Sequence, residues 1–206
     1  MSHHGIWCEA CDAAMPHLAA LRCPVCAVPT PNGEVCGRCL KKPPAFSNTV
    51  AAYSYDFPLD RLIQALKYNE QIVLASMFAE KLSQRIDRCS LPDCMLAMPL
   101  HPARQKNRGF NQAQLIARPL SKSLGLPLLS HACQRLRDTP SQTSLPFDER
   151  TRNMRGAFDC NADLAGKNVA LVDDVMTTGA SMDALANAAL AKGAASVKAW
   201  VVARTR

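Results

Sequence analysis

Two adjacent acidic residues, Asp173 and Asp174, follow an apolar run over residues 169–172. Because adjacent carboxylates repel each other, a divalent cation or hydrogen-bond donors must compensate for their charge. A segment of hydroxyl-bearing and small residues comes shortly afterwards, before a helical pattern. The backbone N–H groups and the helix dipole at such a position attract phosphate. A phosphorylated ribose, with a diol at one end and a phosphate at the other, would satisfy both halves.

An ordinary strand, loop and helix with a solvated acidic pair is the alternative interpretation of this segment. The combination of an apolar strand, two aspartates and a Thr-Thr-Gly-Ala-Ser loop favours a ligand site. Asp173 and Asp174, which would project into solvent at the strand end, are therefore the candidate catalytic residues. The candidate substrate-binding residues of the loop are Thr177, Thr178, Gly179, Ala180 and Ser181.

Six of the ten cysteines lie within the first 39 residues, as three Cys-x-x-Cys pairs. Two such pairs can direct four thiolates at one ion and complete a tetrahedral zinc site. The second and third pairs are separated by nine residues, which suit a short hairpin. This spacing predicts a zinc ribbon with the ligands Cys23, Cys26, Cys36 and Cys39.

Three alternatives are open for the first pair, Cys8 and Cys11. The pair is left without an ion, it competes for the same ion, or it serves a second site whose other half is missing. A redox pair is the alternative, although such pairs usually stand beside a β-α-β pattern that is not seen here. A reducing compartment argues against structural disulfides. The other cysteines are therefore expected to be packing residues or surface thiols: Cys89, Cys94, Cys133 and Cys160.

The elements that must position these residues alternate between strands and helices, which predicts a parallel α/β sheet covered by helices on both faces. Two helices are expected over residues 59–86, because apolar residues recur there at helical spacing. Further helices are expected over 111–125 and 180–194. Strands are expected over residues 49–55, 95–100, 127–130, 168–174 and 197–204.

Ligands in such sheets bind where strands end, and two strand ends carry polar segments. One is the aspartate and threonine segment. The other, over residues 101–112, has Arg104, Lys106 and Arg108 within five residues. Arg104 and Arg108 are the stronger candidates for ligand contact, and a solvated basic loop before a helix is the alternative.

The bulk properties leave room for one domain and a smaller one, because the chain has 206 residues of which 48% are hydrophobic. The net charge of +7 favours anionic partners. No run of roughly 18 apolar residues exists to span a membrane, and no secretory signal begins the chain. A cytoplasmic protein without membrane insertion is expected, with a Cys-rich zinc ribbon over residues 1–45 and the α/β domain over 46–206.

The segment Val-Ala-Leu-Val-Asp-Asp-Val-Met-Thr-Thr-Gly-Ala-Ser resembles the phosphoribosyl-diphosphate motif of type I phosphoribosyltransferases at all thirteen positions. Nearly the whole chain is similar to the ComF competence-protein family, which includes GntX-type proteins. The landmarks are the Cys-x-x-Cys pairs, PPAF, LIQALKY, RGFNQ, TPSQTSLPFDERTRN and GAF. Members of that family often carry four Cys-x-x-Cys pairs, whereas this chain has three.

The resemblance implies a type I phosphoribosyltransferase-like fold and a role for each motif. Asp173 and Asp174 would bind the ribose hydroxyls, and the residues 177–181 would bind the 5-phosphate. The basic segment would hold the diphosphate, which Mg²⁺ accompanies. The long polar segment 135–153 would be a lid over that site or a mobile surface loop, with Arg135, Gln142 and Arg152 as phosphate contacts.

Three functions follow from these motifs. The resemblance favours a competence-type protein that binds phosphoribosyl diphosphate and takes part in DNA uptake, natural transformation or the use of external DNA. Single-stranded DNA and DNA-uptake proteins are then possible partners, although aromatic stacking residues are few: Phe46, Tyr53, Tyr55, Phe57 and Tyr68. The alternatives are an active phosphoribosyltransferase with an unknown acceptor, and a phosphoribosyl-diphosphate sensor without chemistry.

Overall fold

The computed structural model describes residues 8–137 and 156–206. The helices are α1 (Glu9–Ala13), α2 (Gly37–Lys41), α3 (Leu59–Tyr68), α4 (Val73–Ser83), α5 (Pro102–Arg108), α6 (Gln112–Leu124) and α7 (Ala180–Ala191). The strands are β1 (Thr49–Ser54), β2 (Cys94–Ala97), β3 (Cys133–Arg135), β4 (Phe158–Cys160), β5 (Asn168–Met176) and β6 (Ser196–Arg204).

Four parallel strands form the main sheet, in the order β1-β6-β5-β2. Successive residues of a strand point to opposite faces, so Val169 and Leu171 of β5 enter one core while Ala170 and Val172 enter the other. Helices α3, α4 and α6 cover the second face, and α7 covers the first. The predicted parallel sheet with helices on both faces is confirmed.

Residues 8–45, here called the cysteine head, pack against the edge strand β1. The amide of Ser54 donates a 2.8 Å hydrogen bond to the Pro16 carbonyl. At the other end of the strand, the Thr49 hydroxyl donates a 2.7 Å bond to the Val25 carbonyl. The head therefore covers a strand edge that no further strand of the described residues occupies.

The expectation that Cys133 and Cys160 are unpaired is wrong. Strands β3 and β4 form a separate antiparallel ribbon whose register places these two residues opposite each other, and a disulfide joins them. Their sequence separation of 27 residues gives no sign of this proximity. Cys94 is buried in β2 and Cys89 is exposed, as expected.

The basic segment after β2, expected to be a loop, forms the helix α5. The Nδ1 atom of His101 accepts a hydrogen bond from the Ala103 amide and caps its first turn, while Pro102 suits the first helical position. Gly109 ends the helix with a φ of 81°. The expected strand over 127–130 is reduced to a single bridge between Leu128 and Met95 of β2.

Candidate functional site

The two aspartates occupy different environments near the end of β5. The strand continues beyond them to Met176, so they do not both project into solvent as expected. Asp173 is half-buried, whereas only 3% of Asp174 is exposed. The reason is the alternation of the strand, which directs Asp174 towards the face that α3 covers.

Lys67, at the C-terminal end of α3, forms an ion pair through its Nζ atom with Oδ2 of Asp174. Its side chain is only 21% exposed. The sequence analysis did not find this residue. A signal was available, because Lys67 follows Leu59 and Ile63 at a spacing that places it on the buried stripe of the helix. A lysine on such a stripe indicates a buried partner.

The ion pair separates the acidities of the two carboxyl groups. Burial raises the pKa of Asp173 well above its ordinary value, and the neighbouring charge of Asp174 raises it further. Burial also acts upward on the pKa of Asp174, but the charge and hydrogen bond of Lys67 outweigh it and lower that pKa. Asp174 is therefore the ionised member of the pair, and Asp173 is the one that takes up a proton.

The end of α5 brings a second cation to this region. The guanidinium of Arg108 lies 5.2 Å from the ring centroid of Tyr68, and it donates a 2.6 Å hydrogen bond to Oε1 of Gln112. Its positive charge acts on the pKa of Lys67 in the downward direction. Arg104 is half-buried on the same helix, whereas Lys106 is exposed. Arg108 is thus the member of the basic segment whose charge reaches Lys67, the partner of Asp174.

The segment 177–181, here called the phosphate loop, connects β5 to the first turn of α7. Gly179 stands at the N-cap with a φ of 82°, a left-handed conformation that favours glycine. The hydroxyl of Thr178 accepts a 3.3 Å hydrogen bond from the Ala180 amide. The first amides of a helix have no acceptor within it, so this turn can receive an anion. Thr177 is exposed and Ser181 half-buried at this turn.

Replacing Gly179 with alanine should lower the free energy of unfolding by about 1–2 kcal/mol, since an L-residue is strained at this φ. The added Cβ would meet only ordinary contacts with Met176 and Phe46, each at 3.7 Å, so crowding adds little. The loop should also lose affinity for phosphorylated ligands. Gly125→Ala is the control, because Gly125 has a φ of 67° at the end of α6. Urea denaturation should show similar losses for both variants, and equal ligand affinities would contradict the role of the loop.

A buried arginine, Arg204 at the end of β6, holds the start of the phosphate loop. Only 3% of it is exposed. Its Nη1 atom donates hydrogen bonds to the carbonyls of Met176, at 3.1 Å, and Thr177, at 2.5 Å. Its Nε atom donates a 2.7 Å bond to the carbonyl of Cys26 in the cysteine head. The sequence analysis missed Arg204, because a basic residue that closes an apolar strand resembles an ordinary surface residue.

The cysteine head brings together the four predicted ligands, whose sulfur atoms all lie within 4.8 Å of one another. Two of these sulfurs, of Cys26 and Cys36, are 3.6 Å apart. Tetrahedral zinc with bonds of about 2.3 Å to sulfur requires about 3.8 Å between sulfurs, so the group fits such an ion. Cys8, at the N-cap of α1, and Cys11, within that helix, are exposed and do not belong to the cluster. The cluster is Cys23, Cys26, Cys36 and Cys39.

The surroundings of Cys26 favour its thiolate form. Burial acts upward on its pKa, but hydrogen bonds from the Val28 amide and from neighbouring side chains outweigh burial and lower the pKa to about 6. Because metal ligation requires the thiolate, a low pKa favours binding at neutral pH. The cluster can therefore hold a metal such as zinc.

Two of the five aromatic residues considered as stacking platforms are available to a ligand. Phe57 is 77% exposed and Tyr68 is 70% exposed. They stand just before α3 and at its end, whereas Phe46 and Tyr53 are buried. Of the predicted lid contacts, Arg135 lies in β3 with its guanidinium 5.6 Å from the Phe158 ring centroid. Gln142 and Arg152 lie outside the described residues.

A family model described as a phosphoribosyl transferase domain matches residues 74–206. This range includes β2, the basic helix, the acidic pair and the phosphate loop. It supports the type I phosphoribosyltransferase-like fold that the thirteen-residue motif implied. Within the described residues, none of the helices is both long and apolar enough to cross a membrane.

The chain is also similar to curated proteins over most of its length. DNA utilization protein YhgH of Escherichia coli K12 is 36% identical over 212 aligned residues, which cover 100% of this chain and 92% of that protein. Competence protein F of Haemophilus influenzae is 32% identical, over 82% of this chain and 78% of that protein. Competence protein ComFC of Bacillus subtilis is 27% identical, over 96% of this chain and 84% of that protein.

Proposed function

This chain belongs to the ComF family and carries a phosphoribosyl transferase domain, and on that premise we propose that it binds phosphoribosyl diphosphate with Mg²⁺ in a role linked to DNA utilisation. The observation that carries the proposal is the placement of an acidic pair and an anion-binding turn at one end of β5. A ribose phosphate has complementary groups at its two ends. The proposed location is the cytoplasm, and the proposed units are residues 1–45 and 46–206.

Each side of the ligand would meet a different element. Asp173 and Asp174 would accept hydrogen bonds from the ribose hydroxyls, and the phosphate loop would hold the 5-phosphate. The diphosphate would lie towards α5, where Arg104 and Arg108 supply positive charge. Mg²⁺ prefers hard oxygen donors such as these carboxylates and would neutralise diphosphate oxygens. Lys67 balances the Asp174 carboxylate, so the charge of this carboxylate is compensated before a ligand binds.

Calorimetric titration with phosphoribosyl diphosphate and Mg²⁺ tests this proposal. The wild-type chain should bind, and the double variant Asp173→Asn, Asp174→Asn should not, since amides do not replace charged acceptors for the diol. Asp163→Asn is a matched control. Asp163 lies on a surface turn beside the C-terminal end of α7, where the Leu164 amide donates a hydrogen bond to the Lys192 carbonyl. An unchanged affinity of the double variant would remove the acidic pair from the site.

Binding should release a proton at a pH between the ordinary pKa of an aspartate and the raised pKa of Asp173. The raised pKa of Asp173 means that the free protein holds a proton there above about pH 4, where a free aspartate has lost it. The proton on Asp173 stabilises the fold at low pH. This stabilisation is lost as the pH rises through the raised pKa of Asp173. Accepting two ribose hydroxyls favours the charged form, so affinity should rise with pH.

Calorimetry in two buffers of different ionisation enthalpy measures the released proton. Asp173→Asn should eliminate the difference between the buffers, while a pH-independent affinity in the wild-type chain would contradict the assignment.

Catalysis requires an acceptor as well as the sugar diphosphate. A cleft of about 470 Å³ lies beside α5 and α6, with Phe110, Leu115 and Leu129 on its apolar side and Arg118 and His131 among its polar groups. It is large enough for a small planar acceptor. Diphosphate release on addition of an acceptor would establish a phosphoribosyltransferase. Tight binding without release across a screen of acceptors would favour the sensor.

Single-stranded DNA is a second proposed partner, because exposed aromatic residues and basic residues share the surface around α3. Phe57 and Tyr68 are exposed, and Arg61 and Arg206 carry exposed guanidinium groups. Bases stack on such rings, while cations attract the backbone. The names of the YhgH and competence relatives fit this partner.

The affinity for a single-stranded oligonucleotide should fall steeply with salt, and Tyr68→Ala should weaken binding by about 1–3 kcal/mol. Fluorescence anisotropy measures both. The double variant of Asp173 and Asp174 should bind DNA unchanged. An affinity for the oligonucleotide that does not depend on salt, or that is unchanged when Tyr68 and Phe57 are replaced, would exclude this surface as the DNA-binding site.

A further inference from the structure

The cysteine head and the phosphate loop share one buried side chain. Arg204 donates from Nε to the carbonyl of Cys26, and from Nη1 to the carbonyls of Met176 and Thr177. Cys26 belongs to the four-sulfur cluster, and Thr177 begins the loop. One rigid guanidinium therefore spans the backbone of a cluster residue and the backbone of the loop.

Two further contacts join the same parts of the molecule. The ring of Phe46, which directly follows the head, lies 3.7 Å from the position that a Cβ on Gly179 would occupy. The amide of Ala45 donates a 2.7 Å hydrogen bond to Oδ1 of Asp183 in the first turn of α7. A narrow cleft between these parts is lined by the head residues Arg38 and Lys42 and by Thr178 and Gly179 of the loop.

The backbone of the head depends on what its sulfurs hold. Two Cys-x-x-Cys turns that ligate one ion have their geometry set by that ion, and without it the four sulfurs lose their shared centre. A shift of the Cys26 carbonyl would leave a buried guanidinium donor without its acceptor, which is costly. Arg204 would then follow Cys26 or reorganise, and either movement changes its hold on the carbonyls of the loop.

We propose that metal binding at the four cysteines and phosphate binding at the loop are coupled through Arg204, so that each raises the affinity of the other. The inference rests on the proposed function, because it assigns a regulation to the same phosphate site. Arg204 is a positioning residue in this scheme. It reaches the loop through backbone carbonyls, and it reaches the cluster through the carbonyl of Cys26 and through the cysteine side chains near its guanidinium.

Thermodynamic linkage makes the coupling reciprocal, and couplings of this kind are typically about 5–150-fold. Removing the metal should therefore weaken binding of ribose 5-phosphate by about tenfold. Saturating ribose 5-phosphate should tighten zinc binding by the same factor. Ribose 5-phosphate is the suitable probe because it lacks the diphosphate and so reports on the loop and the diol alone.

The experiment measures both directions on the full chain. Calorimetry gives the affinity for ribose 5-phosphate with and without zinc, and competition with a chromophoric chelator gives the zinc affinity with and without the sugar. The second direction starts from the loaded protein and measures how the sugar changes the fraction of zinc that the chelator removes. Equal tightening in both directions supports the coupling.

Arg204→Lys keeps the charge but cannot reach both sets of carbonyls with one planar group, so it should reduce the coupling factor towards one. If this variant does not fold, Asp183→Ala tests the second link by removing the acceptor of the Ala45 amide. Asp183→Asn retains an oxygen at that position and is its control. A variant that is merely less stable would change the affinities for zinc and for ribose 5-phosphate, but it would leave the coupling factor between them unchanged.

The outcomes separate the two proposals. If the zinc-loaded wild-type chain fails to bind ribose 5-phosphate, the proposed function falls, and this inference with it. If ribose 5-phosphate binds equally with and without zinc, and the sugar does not change the zinc affinity, the coupling is overturned. The proposed phosphate site is then unaffected. If coupling persists undiminished in Arg204→Lys and Asp183→Ala, these contacts do not carry it.

Discussion

Replacing Lys67 with methionine is expected to lower the free energy of unfolding by about 3 kcal/mol, because it leaves the Asp174 carboxylate buried without its counter-ion. Breaking buried pairs costs about 3–5 kcal/mol, and the lower end applies here since the Lys67 side chain is 21% exposed. The Asp174 side chain is only 4% exposed, so water replaces the lost ammonium group poorly. Urea denaturation at neutral pH measures the loss.

The pH dependence of this loss has a defined sign. The depressed pKa of Asp174 stabilises the fold above the pKa of about 3.9 that a free aspartate has, and this stabilisation is lost as the pH falls through the lower, folded value. The difference between Lys67→Met and the wild type should therefore be largest near neutrality and shrink in acid. A constant difference would indicate lost packing rather than a lost charge pair.

A second lysine offers a matched control for this substitution. Lys81 has a similarly covered side chain, 20% exposed, and forms a 2.8 Å ion pair with Asp12. The Asp12 side chain is 38% exposed, so its carboxylate stays solvated when the lysine is removed. Lys81→Met should cost at most about 1 kcal/mol. Similar losses from both variants would contradict the special position of Asp174.

Removing the metal from the cysteine head should have a larger effect on the whole fold. Structural zinc contributes about 10–16 kcal/mol of apparent binding free energy in zinc-finger peptides, and Cys26→Ser removes a ligand. The residues Cys23, Cys26, Cys39 and Phe46 belong to the same buried cluster as Leu185 of α7. Loss of the head therefore uncovers part of the main core, and the melting temperature should fall by more than about 10 °C.

Metal analysis of purified protein accompanies the thermal measurement. The wild-type chain should contain one zinc ion, and Cys26→Ser none. Cys89→Ser is the control, since Cys89 is exposed and outside the cluster. The variant Cys8→Ser should keep both the ion and the melting temperature, because Cys8 lies outside the four-sulfur group. Loss of zinc from Cys8→Ser would place the first pair at the metal instead.

Local patterns were sufficient to predict the elements of the sheet and the groups of residues that act together. Apolar runs identified β5 and β6, helical spacing identified α3 and α4, and glycine stops marked the ends of α6 and α7. The two residues between paired cysteines are enough to indicate a shared ion. These features depend on neighbours along the chain, so they are visible in a single sequence.

The missed features all depend on contacts between distant segments. Lys67 and Asp174 meet because α3 packs over the end of β5, and Cys133 meets Cys160 only through the register of a short ribbon. Arg204 acquires its role from the head that packs beside β6. The basic segment became a helix because His101 and Gly109 cap it, a detail weaker than the charge pattern that suggested a loop.

The position of the cysteine head along β1 has a consequence for how chains of this protein meet one another. An open strand edge offers unpaired backbone groups to any other extended chain, and proteins commonly shield such edges. Here Pro16 and Val25 of the head accept hydrogen bonds from the two ends of that strand. The cysteine head therefore shields this edge from pairing with the backbone of a second chain.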